Sequence, residues 1–222
     1  MRDRPIPLAL TFLIAAFSAL AALGWSAGHD MSAHAATGHQ PAARSSAVAL
    51  RSEMRQLWEE HVTWTRLAII SLTTDAPDTT ATVNRLLRNQ TDIGNAVKPY
   101  YGAAGGQQLT SLLRQHILVA AKVIAAARKG DTTDLAAQQA RWTANADQIA
   151  SFLHEANPAW KLGPTKAMMH EHLRLTTNEV VARLQQKWNA DVRAYDAIER
   201  QALHMADMLA AGIVAQFPGR FA

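Results

Sequence analysis

The sequence predicts an all-α protein, an up-and-down bundle of about six helices arranged as three repeated helical hairpins. Three observations predict it. The 222 residues include only 11 Gly and 8 Pro, too few breakers for a β protein that must turn every ten residues or so. Between those breakers apolar residues recur at spacings of three and four, the signature of one buried helix face. A short motif of two apolar residues, a spacer, Glu or Gln, His and an aliphatic returns three times at nearly constant spacing.

Composition removes several classes. The absence of cysteine excludes disulfide scaffolds and cysteine-ligated zinc or iron–sulfur sites. The 22 basic and 18 acidic residues give a net charge of +4 with no basic run, so nucleic acid is not an expected partner.

The elements follow in order along the chain. Residues 1–27 combine a charged start at Arg2, Asp3 and Arg4 with an apolar run from Ile6 to Leu23. That is the pattern of an export signal, and the run also approaches the roughly 20 residues that span a bilayer, so an inner-membrane anchor over residues 6–27 is the other reading. Either way the remainder is expected outside the cytoplasm, periplasmic or secreted. Residues 28–45 are rich in Ala, Gly, Ser and His without apolar periodicity and read as a flexible linker. His29, Met31, His34 and His39 within it are soft and borderline ligands able to capture copper or nickel loosely.

The bundle domain is expected over residues 46–218. A first helix starts near Ser46 and carries Leu50, Met54, Leu57, His61, Trp64, Ala68 and Leu72, ending before Asp75-Ala76-Pro77. Asp78 is the expected N-cap of a second, with Val83, Leu86, Ile93 and Val97 running to Lys98-Pro99. A turn with Gly102, Gly105 and Gly106 leads to a third, Leu109 to Ala127, stopped by Gly130. Asp131 or Thr133 caps a fourth, with Leu135, Trp142, Ile149 and Leu153, which ends at Asn157-Pro158. Pro164 suits the first turn of a fifth, and Pro218 closes a sixth. Between these last two a turn is placed near Lys187 to Ala190, capped by Asn189 or Asp191.

The repeat reads Leu57-Trp58-Glu59-Glu60-His61-Val62, Leu112-Leu113-Arg114-Gln115-His116-Ile117 and Met168-Met169-His170-Glu171-His172-Leu173. His61, His116 and His172 stand about 13 to 15 residues before the ends of their helices. Asp92, Asp147 and His204 stand about as far after the starts of theirs. At 1.5 Å per residue, all six lie roughly 20 Å from the connecting turns of antiparallel hairpins, in one layer. Imidazoles and carboxylates on facing helices are how bundles hold metals, so His61, His116, His172, Asp92, Asp147 and His204 are the candidate ligands for a divalent ion, Zn or Cu. Asp92, Asp147, Glu60 and Glu171 are the candidates for orienting the imidazoles.

No phosphate-binding glycine loop, nucleophile elbow or His-Glu-x-x-His string occurs, and no nucleophile–base pair is visible, so a non-catalytic module is expected. The competing expectation is an envelope scaffold or protein-interaction module with no ligand site. The stretches Leu57-Trp58-Glu59-Glu60-His61-Val62-Thr63-Trp64-Thr65-Arg66 and Asn89-Gln90-Thr91-Asp92-Ile93-Gly94-Asn95-Ala96 resemble an uncharacterised family of exported bacterial helical proteins. Members of that family have been labelled acetylglutamate kinase or glycosyltransferase. The resemblance implies a helical fold over roughly Leu50 to Pro218. Both labels would need an α/β sheet with glycine-rich nucleotide-binding turns, which this sequence does not offer.

Overall fold

The computed structural model describes residues 40–221, with side chains from Ser46 onward. The expected export segment and the linker histidines lie outside the described residues. Five helices follow one another: α1 Gln40–Thr74, α2 Thr79–Lys129, α3 Thr132–Ala156, α4 Leu162–Leu184 and α5 Trp188–Gln216, with a final 3-10 turn at Pro218–Arg220. α1 begins ahead of Ser46, so the stretch from Gln40 that reads as linker in the sequence is already helical.

The second helix is not one straight rod. Gly102 leaves the helical region at φ 73° and ψ 173°, three residues after Pro99. A straight helix would separate Gly94 from Gly106 by about 18 Å. Instead, a Cβ built on Gly106 would lie 2.5 Å from the carbonyl oxygen of Gly94, and one on Gly94 would lie 2.6 Å from that of Gly106. The chain therefore folds back at Gly102, and the two arms cross where only glycine backbones fit.

Other ends follow simpler chemistry. Gly130 ends α2 in the left-handed region at φ 69°, its N–H donating to Ala126 and Ala127 carbonyls. Asp131 caps α3 by accepting from the Asp134 N–H at 3.0 Å. Asp78 makes no such bond at the start of α2. The α4–α5 turn runs over Gln185 to Lys187, with Gln186 at φ 57°, slightly earlier than the sequence suggests. Neither Asn189 nor Asp191 caps α5, whose N-cap position is Lys187.

Helix contacts close a ring: α1 packs on α2, α2 on α3, α3 on α4, α4 on α5 and α5 on α1. Inside it Met54, Trp58, Ile93, Ile149, Ile198 and Ile213 are almost completely buried. By length and composition α2 is, among the described residues, the one helix long and apolar enough to cross a membrane. Its Leu86, Ile93, Leu109 and Ile117 are buried within this fold.

Candidate functional site

The three repeated histidines meet at the centre of the bundle. The ring centroids of His61 on α1 and His172 on α4 are 5.9 Å apart, and those of His116 on α2 and His172 are 6.1 Å apart. All three side chains are buried, at 8%, 4% and 6% exposure. They share one cavity of about 50 Å³, large enough for a few waters or one small guest. Its wall is otherwise largely apolar: Trp58, Ile93, Leu109, Trp160, Met169 and Met205 are among the lining residues, and Asp and Glu are not.

One hydrogen-bond device recurs behind the rings. Nδ1 of His116 lies 2.8 Å from Asn145 Oδ1, while Asn145 Nδ2 donates to the carbonyl of Leu112 at 3.1 Å. Nδ1 of His172 lies 3.0 Å from Gln201 Oε1, and Gln201 Nε2 donates to the carbonyl of Met168 at 3.1 Å. In each case the amide spans two helices and takes the backbone carbonyl four residues before the histidine. An amide oxygen can only accept, so Nδ1 carries the proton and Nε2 the lone pair.

The first hairpin varies the theme. Asn89 Nδ2 donates to the carbonyl of Leu57 at 3.0 Å, and the Asn89 amide is also a hydrogen-bond partner of His61. Gln90 Nε2 stands 3.1 Å from His61 Nδ1. Its two hydrogens have oxygen acceptors at 3.0 Å, Leu86 O and Asn89 Oδ1. Paired with the Gln90 N–H, Nδ1 of His61 accepts and the proton sits on Nε2; paired with the Asn89 amide oxygen, Nδ1 donates and Nε2 carries the lone pair, as in the other two rings.

The far nitrogens divide the three. Trp142 Nε1–H donates to Nε2 of His116 at 3.2 Å, so that lone pair is used. Among the described residues, Nε2 of His61 and of His172 accepts no hydrogen bond. Burial, reinforced by the neighbouring imidazoles, holds His61 and His116 down to about 3, and burial also lowers His172. The layer is thus neutral near pH 7.

The carboxylates and the fourth histidine do not join it. Asp147 pairs with His170 Nε2 at 2.9 Å and with Lys166 at 3.6 Å. Asp92 lines a shallow surface hollow with Glu53 and Tyr100, and His204 is exposed. The three share the depth of the layer but not its rotational phase, so their helices turn them outward. Glu60 pairs with Arg85 and Glu171 with Arg174, away from the rings. Among the described residues no group of three or more His, Cys, Asp or Glu side chains is arranged to hold a metal ion.

Two further clusters frame the site. Arg66 on α1 contacts Glu179 on α4 at 2.6 Å and Asp191 at the start of α5 at 2.9 Å, and Arg183 reaches Asp191 at 3.0 Å. Glu179 and Asp191 are 1% exposed. Burial pushes Glu179 up to about 7 against the pull of Arg66. Burial pushes Asp191 the same way, but the guanidiniums of Arg66 and Arg183 outweigh it and hold its carboxyl low. At the other end Trp160 seals the cavity, close against Gly212, where a Cβ would lie 1.9 Å from the indole nitrogen. Tyr101 packs on that indole at 5.6 Å and donates to Gln216 Oε1 while accepting from Asn157.

No protein-family model, curated protein or solved structure matches the chain. The functional reading therefore rests on the residues themselves.

Proposed function

We propose that this protein is an exported or membrane-tethered binding module, without catalysis, that takes one metal ion or small ligand on the layer of His61, His116 and His172. The observation that carries the reading is that His61, His116 and His172 converge on one cavity while, among the described residues, Nε2 of His61 and of His172 accepts no hydrogen bond. An amide device repeated to orient rings that line a cavity favours a guest that completes them. The chain is best described as three copies of one hairpin. The reversal at Gly102 and the His–amide–carbonyl pattern, which recurs at 28 or 29 residues from each histidine, support that description.

A second reading, an envelope scaffold or interaction module with no ligand, is favoured by one observation. Trp142 satisfies His116 from within, which is what a packing role would ask of all three rings. The test is metal content of the untagged protein by mass spectrometry, beside a His61→Ala/His116→Ala variant. Stoichiometric metal, or a ligand-dependent rise in melting temperature, that is lost in a variant that stays helical establishes the binding module. No bound species, with stability unchanged by zinc, copper or small apolar ligands, establishes the scaffold.

A further inference from the structure

The two open imidazoles do not face the cavity alone. Met169 lies three residues before His172 on α4, hence on the same helix face, and Met205 approaches from α5; both are buried and both line the cavity. Thioethers are neutral, soft donors that favour Cu(I) over harder ions.

Charge separates the candidate ions. With no Asp or Glu on the wall, a dication would bring its whole charge into an apolar chamber lined by Ile, Leu, Val and Trp side chains. The solvation penalty of an ion rises with the square of its charge, so a monovalent ion meets about a quarter of that barrier. Geometry agrees. A metal about 2.0–2.1 Å from a ring nitrogen lies about 3.2 Å from the ring centre. Centroids 5.9 Å apart, as in His61 and His172, lie within the roughly 6.4 Å that two rings sharing one metal can span.

We propose that the cavity is a Cu(I) site, with Nε2 of His61 and His172 as the nitrogen ligands and the thioethers of Met169 and Met205 completing the coordination. This rests on the reading of the layer as a binding site and specifies its ligand. Such a set needs no cluster of three His, Cys, Asp or Glu ligands, and among the described residues there is none. His116, occupied by Trp142, stands outside the set and packs beside His172.

The test is anaerobic competition of the full chain for ascorbate-reduced copper held by the chromogenic Cu(I) chelator bicinchoninate, with Zn(II) titrated separately. The expected result is transfer of one Cu(I) per chain, no stoichiometric Zn(II), and mixed nitrogen and sulfur scattering at the copper absorption edge. A Met169→Leu/Met205→Leu variant conserves volume and is expected to stay helical while losing at least tenfold in Cu(I) affinity. A His61→Gln/His172→Gln variant is expected to lose transfer altogether. Cu(I) held with unchanged affinity in the Met variant, or with no sulfur scattering, overturns the assignment. Zn(II) bound through the histidines with no Cu(I) transfer overturns the copper inference and leaves the binding module standing. Failure of both ions, with no other guest raising stability, overturns the two together.

Discussion

Trp142 donates its indole N–H to Nε2 of His116 at 3.2 Å, with the two rings 5.3 Å apart. This bond distinguishes His116 from His61 and His172, although side-chain amides contact Nδ1 of all three. Trp142→Phe keeps most of the apolar volume and removes the donor. The expected loss is about 1–2 kcal/mol, one hydrogen bond plus a little packing, readable as a lower urea midpoint at unchanged slope. The freed imidazole is also expected to raise affinity for divalent ions, because a third nitrogen joins the layer; isothermal titration with zinc measures it.

The amides are the next point of attack. Asn145→Leu removes the acceptor for His116 Nδ1–H and the donor to the Leu112 carbonyl together. His116 Nδ1–H is left without a partner while the Leu112 carbonyl keeps its bond within the helix, a destabilisation of about 1–3 kcal/mol. Chemical denaturation of parent and variant checks it; a change below about 0.5 kcal/mol would show that the amide does not hold the ring.

The sign of the pH dependence follows from the buried rings. His61 and His116 are held near 3 in the folded chain and His172 is lowered as well, against 6.5 for a free imidazole. Their neutral forms contribute stability above pH 6.5 that is lost as pH falls, because unfolding then takes up protons. Glu179 works oppositely. Its raised value of about 7 means that protonation between pH 7 and 4.5 favours the fold. Between about pH 6 and 5, two protons gained by His61 and His116 and one released by Glu179 leave a net of about one, or roughly 1.4 kcal/mol per pH unit, to which His172 adds in the same direction. Urea unfolding at pH 7, 6 and 5 measures the slope, and a flat profile would contradict neutral buried histidines.

Arg66 tests the frame around the site. Arg66→Met leaves Glu179 without its close cation and Asp191 with Arg183 alone. Removing one partner from a buried pair costs about 3–5 kcal/mol. At roughly 2–4 °C per kcal/mol for a domain of this size, the melting temperature is expected to fall by about 6–20 °C. Glu179→Gln in the same background is expected to recover part of the loss, since an amide needs no counter-charge.

The fold and the histidines were legible in the sequence for the same reason: both are written in spacing. Apolar periodicity and scarce breakers give helices, and the returns of His61 at His116 and His172 mark equivalent positions. Depth without phase failed for Asp92, Asp147 and His204, because residues at the same height can point to opposite sides of a bundle. The orienting amides were missed because Asn89, Asn145 and Gln201 differ in letter and sit 28 or 29 residues after their histidines, across a turn. Arg66 gave no signal at all. Its partners lie 113 and 125 residues away, and only tertiary packing brings them together. The α4–α5 turn was displaced because Gln186 adopts φ 57° with no Gly or Pro to announce it.

Long-range proton–nitrogen NMR of the imidazoles, followed from pH 8 to pH 5, tests the central claim most directly. The account predicts three rings protonated at Nδ1, silent to titration across that range, with Nε2 of His61 and His172 shifting on ligand binding. It is contradicted if His61, His116 or His172 titrates with a midpoint near 6.5, or if the proton of His61 or His172 resides on Nε2.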